Sequence, residues 1–178
     1  MAKYNLTTGV AIERDDGTFI PPDPANSAYR EYQAWLALGN TPDPVPLDTL
    51  KAAKLEQVKV WRDAAISKGM SFKGATFWSD KDSITDVMQA LSALDAVAAL
   101  PSETRAMLPA TPSTVTWKAW SGTEDNVVHV DLTQDELRLL LAQLSLNTET
   151  KFGIEAKLIA SVKAASSSEE LDAVIWPE

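Results

Sequence analysis

The rhythm of apolar positions changes repeatedly along this chain, and each change marks an element. "TTGVAIER" and "GTFI" are short and strand-prone, with "DDG" between them. Asp16-Gly17 is a strong hairpin signal, because glycine accepts the positive φ that such turns require. Pro21-Pro22 then ends the second strand, since neither ring nitrogen can donate to a ladder. Beyond it, Tyr29, Tyr32, Trp35 and Leu36 fall on one face of a predicted helix. Asn26 or Ser27 supplies the N-cap and Gly39-Asn40 the C-terminal stop. A helix of about a dozen residues is marginal alone, so its ring-bearing face must pack on its own hairpin or on another chain. "TPDPVP", residues 41–46, reads as a stiff, extended connector.

From Leu47 to Lys68 the chain lacks Gly and Pro and predicts one helix, roughly 33 Å long. Its apolar residues, Leu47, Leu50, Leu55, Val58, Val60, Trp61 and Ile66, do not settle on one stripe. That pattern suits packing on its own domain, or a helix shared between chains, although no strict heptad is sustained. Gly69 stops it. "MSFKGATFWS" predicts a strand or a tight hairpin at Gly74. Asp80 or Asp82 then caps a cleaner amphipathic helix through Ile84, Val87, Met88, Leu91, Leu94 and Ala98. "STVTWKAW" and "VVHVDL" alternate as a second hairpin with one buried face, joined by "SGTEDN". Thr133 and Glu136 form a capping box ahead of Leu137, Leu140, Leu141 and Leu144. A separate helix is expected from about Thr148 to Ala165, and "SSSEEL" caps a short terminal one.

These elements predict an α+β protein. Residues 1–46 form a hairpin-helix docking segment and 47–69 a long connecting helix. Residues 70–178 form a domain in which a small antiparallel sheet packs with several helices.

The chemistry is sparse. A net charge of −9 over 178 residues argues against a nucleic-acid backbone as partner. With no cysteine there is neither a disulfide nor a thiolate metal site. The start lacks the apolar core of a signal peptide, and no apolar run reaches a membrane span, so no membrane association is expected. The one histidine, His129, alternates with Val128 and Val130 and so points away from the buried face. No nucleophile elbow accompanies it. Asp80 with Asp82, or Glu124 with Asp125, could approach a divalent cation, but neither pair has calcium-loop spacing. No glycine pattern cradles phosphate. The expectation is a non-enzyme without metal or cofactor.

Six tryptophans are many for this length. Trp78 and Trp117 fit a core. Trp35, Trp61 and Trp120 are better candidates for a protein interface, where Trp is enriched. With Tyr29, Tyr32, Leu36 and Val58 they make up the candidate interaction residues. An exposed Trp could alternatively stack on a glycan.

The segment from Gly9 to Pro46 carries a DG turn, "IPPDPAN", then "YQAWLALGN" and "TPDP". It resembles a segment of tailed-bacteriophage tail-fibre and tail-fibre assembly proteins. The remainder is similar, more loosely, to a phage tail-associated C-terminal domain of undefined function, through "FKGATFWSDKDSITDV", "VTWKAWSGTEDNVVHVDLTQDEL" and "LIASVKAASSSEELDAV". The resemblance implies no catalytic residues. It implies an assembly protein, or chaperone, that binds the trimeric tail fibre, in the host cytoplasm during assembly or in the virion tail. A structural subunit of fibre or baseplate with a trimeric helix is the alternative, and a glycan-binding tip a second. In that light the proline clusters would be spacers holding a docking knob at a set distance from the long helix.

Overall fold

The computed structural model describes residues 3–109, 113–122 and 126–177. The chain is α+β and divides into two compact units, Met1–Val58 with Leu158–Glu178, and Lys59–Lys157.

In the first unit β1 (Tyr4–Leu6), β2 (Ile12–Arg14) and β3 (Phe19–Ile20) form an antiparallel sheet in chain order. The expected turn is present. Gly17 has φ of +80°, and the Arg14 amide donates to the Thr18 carbonyl at 2.9 Å. The first strand of the expected hairpin is shorter than "TTGVAIER". Thr7 leaves the sheet because its hydroxyl donates to the Ala11 carbonyl at 2.6 Å, closing a loop instead. Tyr4–Leu6 supplies the additional strand. Helix α1 (Ser27–Ala37) begins where Asn26 Oδ1 accepts the Ala28 amide at 2.9 Å. It stops before Gly39, φ +82°, with the Asn40 side chain donating to the Trp35 carbonyl at 2.8 Å.

The connector does not act as a free spacer. Asp43 sits between two prolines that have no amide hydrogen, and its own amide donates to the Tyr4 carbonyl at 2.8 Å. The Leu6 amide donates back to the Asp43 carbonyl, also at 2.8 Å. The segment is extended, but at Asp43 it is one residue of parallel sheet beside β1. Residues 47–58 of α2 (Leu47–Ser67) belong to the same unit, as does the end of α5 (Gln134–Ala164). So does α6 (Ser168–Asp172), capped where the Ser167 hydroxyl accepts the Glu170 amide at 3.3 Å.

The second unit holds β4 (Met70–Phe72), β5 (Ala75–Phe77), α3 (Lys81–Ala98), α4 (Ser102–Arg105), β6 (Val115–Trp120) and β7 (Val127–Leu132). The strands form one antiparallel sheet in the order β4-β5-β6-β7. Lys73 and Gly74 join β4 to β5 with φ of +50° and +77°, the two positive values of a two-residue hairpin. Strands β6 and β7 pair from Val115 opposite Leu132 to Trp120 opposite Val127. Their alternation is the one the sequence predicts, with Val115, Trp117, Ala119, Val128, Val130 and Leu132 on the inner face. There they meet Val87 and Leu91 of α3, and Leu137, Leu140 and Leu144 of α5.

Two helices were expected where α5 runs unbroken for 31 residues. Asn147 and Thr148 are poor helix formers, because their side chains compete for local backbone groups. Here both are engaged elsewhere. The Asn147 amide donates to Ser79 Oγ at 3.0 Å, and the Thr148 hydroxyl donates to the Ser79 carbonyl at 2.8 Å. Ser79 is fully buried and passes its own proton to the Ile66 carbonyl at 2.9 Å. Tertiary bonds thus remove the reason for a break.

Candidate functional site

Four of the seven candidate interaction residues come together on α1. Tyr32 faces the sheet and packs with Tyr4, Ile12 and Ile20 as the core of this segment, while Tyr29, Trp35 and Leu36 pack around it half-buried. The rings form a chain of contacts. Tyr4 lies 5.1 Å from Tyr32 and 5.0 Å from Trp35, and Tyr32 lies 6.1 Å from both Tyr29 and Trp35. Such pairs add roughly 0.5–1.5 kcal/mol each beyond their buried area.

Burial corrects three assignments. Tyr32 is only 6% exposed, so it holds the segment together and offers nothing to a partner. Val58 has no exposure and so offers no surface to a partner. Trp120 is 4% exposed, the reverse of its expected place at an interface. Its even position turns it to the outer face of the sheet, where its ring lies 4.2 Å from that of Trp78. Gly69 makes room beneath it. With φ of +66°, an added Cβ would meet the Phe77 carbonyl and the far edge of the Trp120 ring. Trp78 and Trp117, expected as core, are half-buried, as is Trp61.

The uncovered apolar surface lies partly where the sequence did not point. Leu38, just beyond α1, is 78% exposed, and Phe19, on the outer face of the small sheet opposite Glu13, is 64% exposed. Phe19 was readable from strand alternation once the register was fixed, since Ile20 takes the inner face. On α2 Val60 is the exposed large apolar residue among those described, while Leu47, Leu50, Leu55, Trp61 and Ile66 are half-buried.

Candidate chemistry stays dispersed. Both Asp80 oxygens serve the start of α3, accepting the Ser83 amide at 2.8 Å and its hydroxyl at 3.0 Å. Burial raises the Asp80 carboxyl, but those bonds outweigh it and hold the group below its usual range. Glu124 and Asp125 lie outside the described residues. His129 is exposed and stands opposite Lys118. Among the described residues, no group of three His, Cys, Asp or Glu side chains could hold a metal ion. No helix among them is long and apolar enough to cross a membrane. A cleft of about 280 Å³ lies between the end of α3 and the start of β6, lined by Leu94, Val97, Arg105, Val115 and Gln134 among others. The Arg105 guanidinium there donates to the Ala98 and Leu100 carbonyls at 2.8 and 2.9 Å, closing the end of α3.

A family model described as Domain of unknown function (DUF4376) matches residues 49–175. That span starts within α2 and leaves out the three-stranded sheet, α1 and the proline connector. No curated protein and no solved structure matches the chain.

Proposed function

The chain belongs to the DUF4376 family of domains of unknown function, and we propose, from the segment that precedes the matched span, that it is a non-catalytic docking protein of a phage tail fibre. In this reading the segment from β1 to Asp43 is the docking element and acts during fibre assembly. The observation that carries the reading is the division of labour on α1. Tyr32 closes a small private core, while Trp35, Leu36 and Tyr29 stay half-buried around it, and Leu38 at the end of the helix is exposed. Ring-rich surface of this kind, on a pre-formed element, suits a protein partner. The likeness of residues 9–46 to tail-fibre and fibre-assembly proteins supplies the partner's class. A retained place in the virion extends this reading; a structural subunit of fibre or baseplate is the alternative to it.

Co-purification of the full chain with fibre proteins encoded beside it tests this. Leu38→Asp, at an exposed position, is expected to abolish capture while leaving the protein folded. Undiminished capture by this variant, or no capture by the native chain, overturns the proposal.

A further inference from the structure

We propose that β7 is a docking edge for a second copy of this chain, and that two β7 strands pair antiparallel across a twofold axis at Val130. β7 ends the four-stranded sheet, and among the described residues no strand pairs with its far side. Its backbone faces outward at every other residue. The Ser121 amide donates to the Asn126 carbonyl at 2.9 Å, which makes that pair a hydrogen-bonded one in the ladder. Alternation from there turns the amides and carbonyls of Val127, His129 and Asp131 away from β6. Six residues long, with valine at three positions and no proline, this edge is a template for strand addition.

The side chains choose the partner and the register. Shifting by one residue would put the apolar row of one copy beside the polar row of the other, so only registers that keep the faces aligned survive. On the outer face β7 carries His129 beside Lys118 of β6, and Asp131 beside Thr116. An axis at His129 would set two imidazoles opposite each other between the two Lys118 ammonium groups, with no carboxylate in the row. An axis at Asp131 would oppose two carboxylates. Like charges directly opposite are unfavourable. An axis at Val130 avoids both, because each His129 then faces the partner copy's Asp131, twice over. On the inner face Val130 meets its own mate, while Leu132 is fully buried in its own core and takes no part. The outward carbonyl and amide of Asp131 bond those of His129 in the other copy.

Two existing contacts touch this edge. Asp131 Oδ1 accepts the Thr116 hydroxyl at 2.7 Å, which leaves the other carboxylate oxygen to face the partner copy's His129. Lys73 Nζ lies 3.4 Å from the Asp131 carbonyl, against 2.7 Å to Glu136 Oε1. A carbonyl has two lone pairs, so the lysine and an incoming amide can share it. This inference is independent of the fibre reading, which rests on the other unit.

The test uses the full chain and its absence of native cysteine. At the axis Val130 forms a non-hydrogen-bonded pair, whose Cα separation of about 4.5 Å lies within disulfide range. Val130→Cys is therefore expected to oxidise to a covalent dimer, while Thr116→Cys, one strand further away, stays monomeric. Light scattering of the unmodified chain is expected to show a concentration-dependent dimer. His129→Asp, at an exposed position that tolerates substitution, should weaken it roughly tenfold or more, and the exchange His129→Asp with Asp131→His should restore it. A native chain that remains monomeric overturns the proposal. So does a dimer unaffected by His129→Asp, or one that crosslinks through Thr116→Cys and not Val130→Cys.

Discussion

The two sheets of this protein are built to different rules. The three-stranded sheet has strands of two or three residues and a core of Tyr4, Ile12, Ile20 and Tyr32. Its order comes from turn chemistry: Asp16-Gly17, the prolines around Asp43, the Asn26 cap. The four-stranded sheet has two six-residue strands and a core dominated by aliphatic side chains from β7, α3 and α5. The first achieves a fixed shape with little buried area, through ring contacts and restricted backbone. The second achieves it by area. A segment of the first kind opens at low cost, because few buried contacts hold it. The first sheet is therefore the more fragile of the two.

Tyr32→Ala should show this most strongly. Removing a buried aromatic costs roughly 3–5 kcal/mol, more than so small a core can absorb. Amide exchange at Ile12 and Ile20 is expected to become fast while β6 and β7 stay protected. Leu140→Ala, at a fully buried position, costs roughly 2–5 kcal/mol and should do the reverse. If either variant loosens both sheets equally, the two units unfold as one and the contrast fails.

Backbone effects come next. Gly69→Ala places a Cβ against the Phe77 carbonyl in a left-handed conformation, with an expected cost of about 3 kcal/mol. Trp120 fluorescence should report its displacement, with no change in exchange at Ile12. Ser79→Ala is smaller. It strips the Ile66 carbonyl and the Asn147 amide of a buried partner, at about 1–3 kcal/mol. Denaturant midpoints check it, and an unchanged midpoint would remove the account of the unbroken α5.

The sequence exposed these rules unequally. Turns and caps were readable because their cause is local. Asn26, Gly39, Gly69, Asp80 and the Thr133–Glu136 box all act within a few residues of themselves. The alternation of β6 and β7 was readable because half-buried strands repeat every two residues. What stayed hidden depends on partners distant in the chain. Asp43 beside Tyr4 is a pairing across the whole first segment. Ser79 holds Asn147 and Thr148 in helix from 68 and 69 positions away. Trp120 is buried because Gly69 and Trp78 come to it, not because of any pattern in its own strand. Tyr32 was grouped with the interaction residues on the ring-bearing face of α1, because the same periodicity marks a core face and a docking face alike. Only the presence of Tyr4, Ile12 and Ile20 beneath it separates the two.

The smallest effect concerns acid, and each sheet carries one carboxylate that reports on it. In the first, Arg14 donates to Asp16 at 2.8 Å and holds its carboxyl far below the usual range. In the second, Glu136 accepts Lys73 Nζ at 2.7 Å and the Thr133 amide at 2.8 Å. Those bonds, the lysine's first, lower its pKa from 4.5 to about 2. A carboxylate depressed on folding contributes stability that is present above its unfolded value and lost as pH falls through the folded one. For Glu136 the window therefore runs downward from about 4.5 to about 2, and for Asp16 it extends lower still. Glu136 is solvent-screened, so the effect is modest. In thermal melts across this range the unmodified chain should exceed Glu136→Gln above the window, and the two should converge at its lower end. A gap that stays constant with pH would mean that Glu136 acts only as a neutral cap for α5.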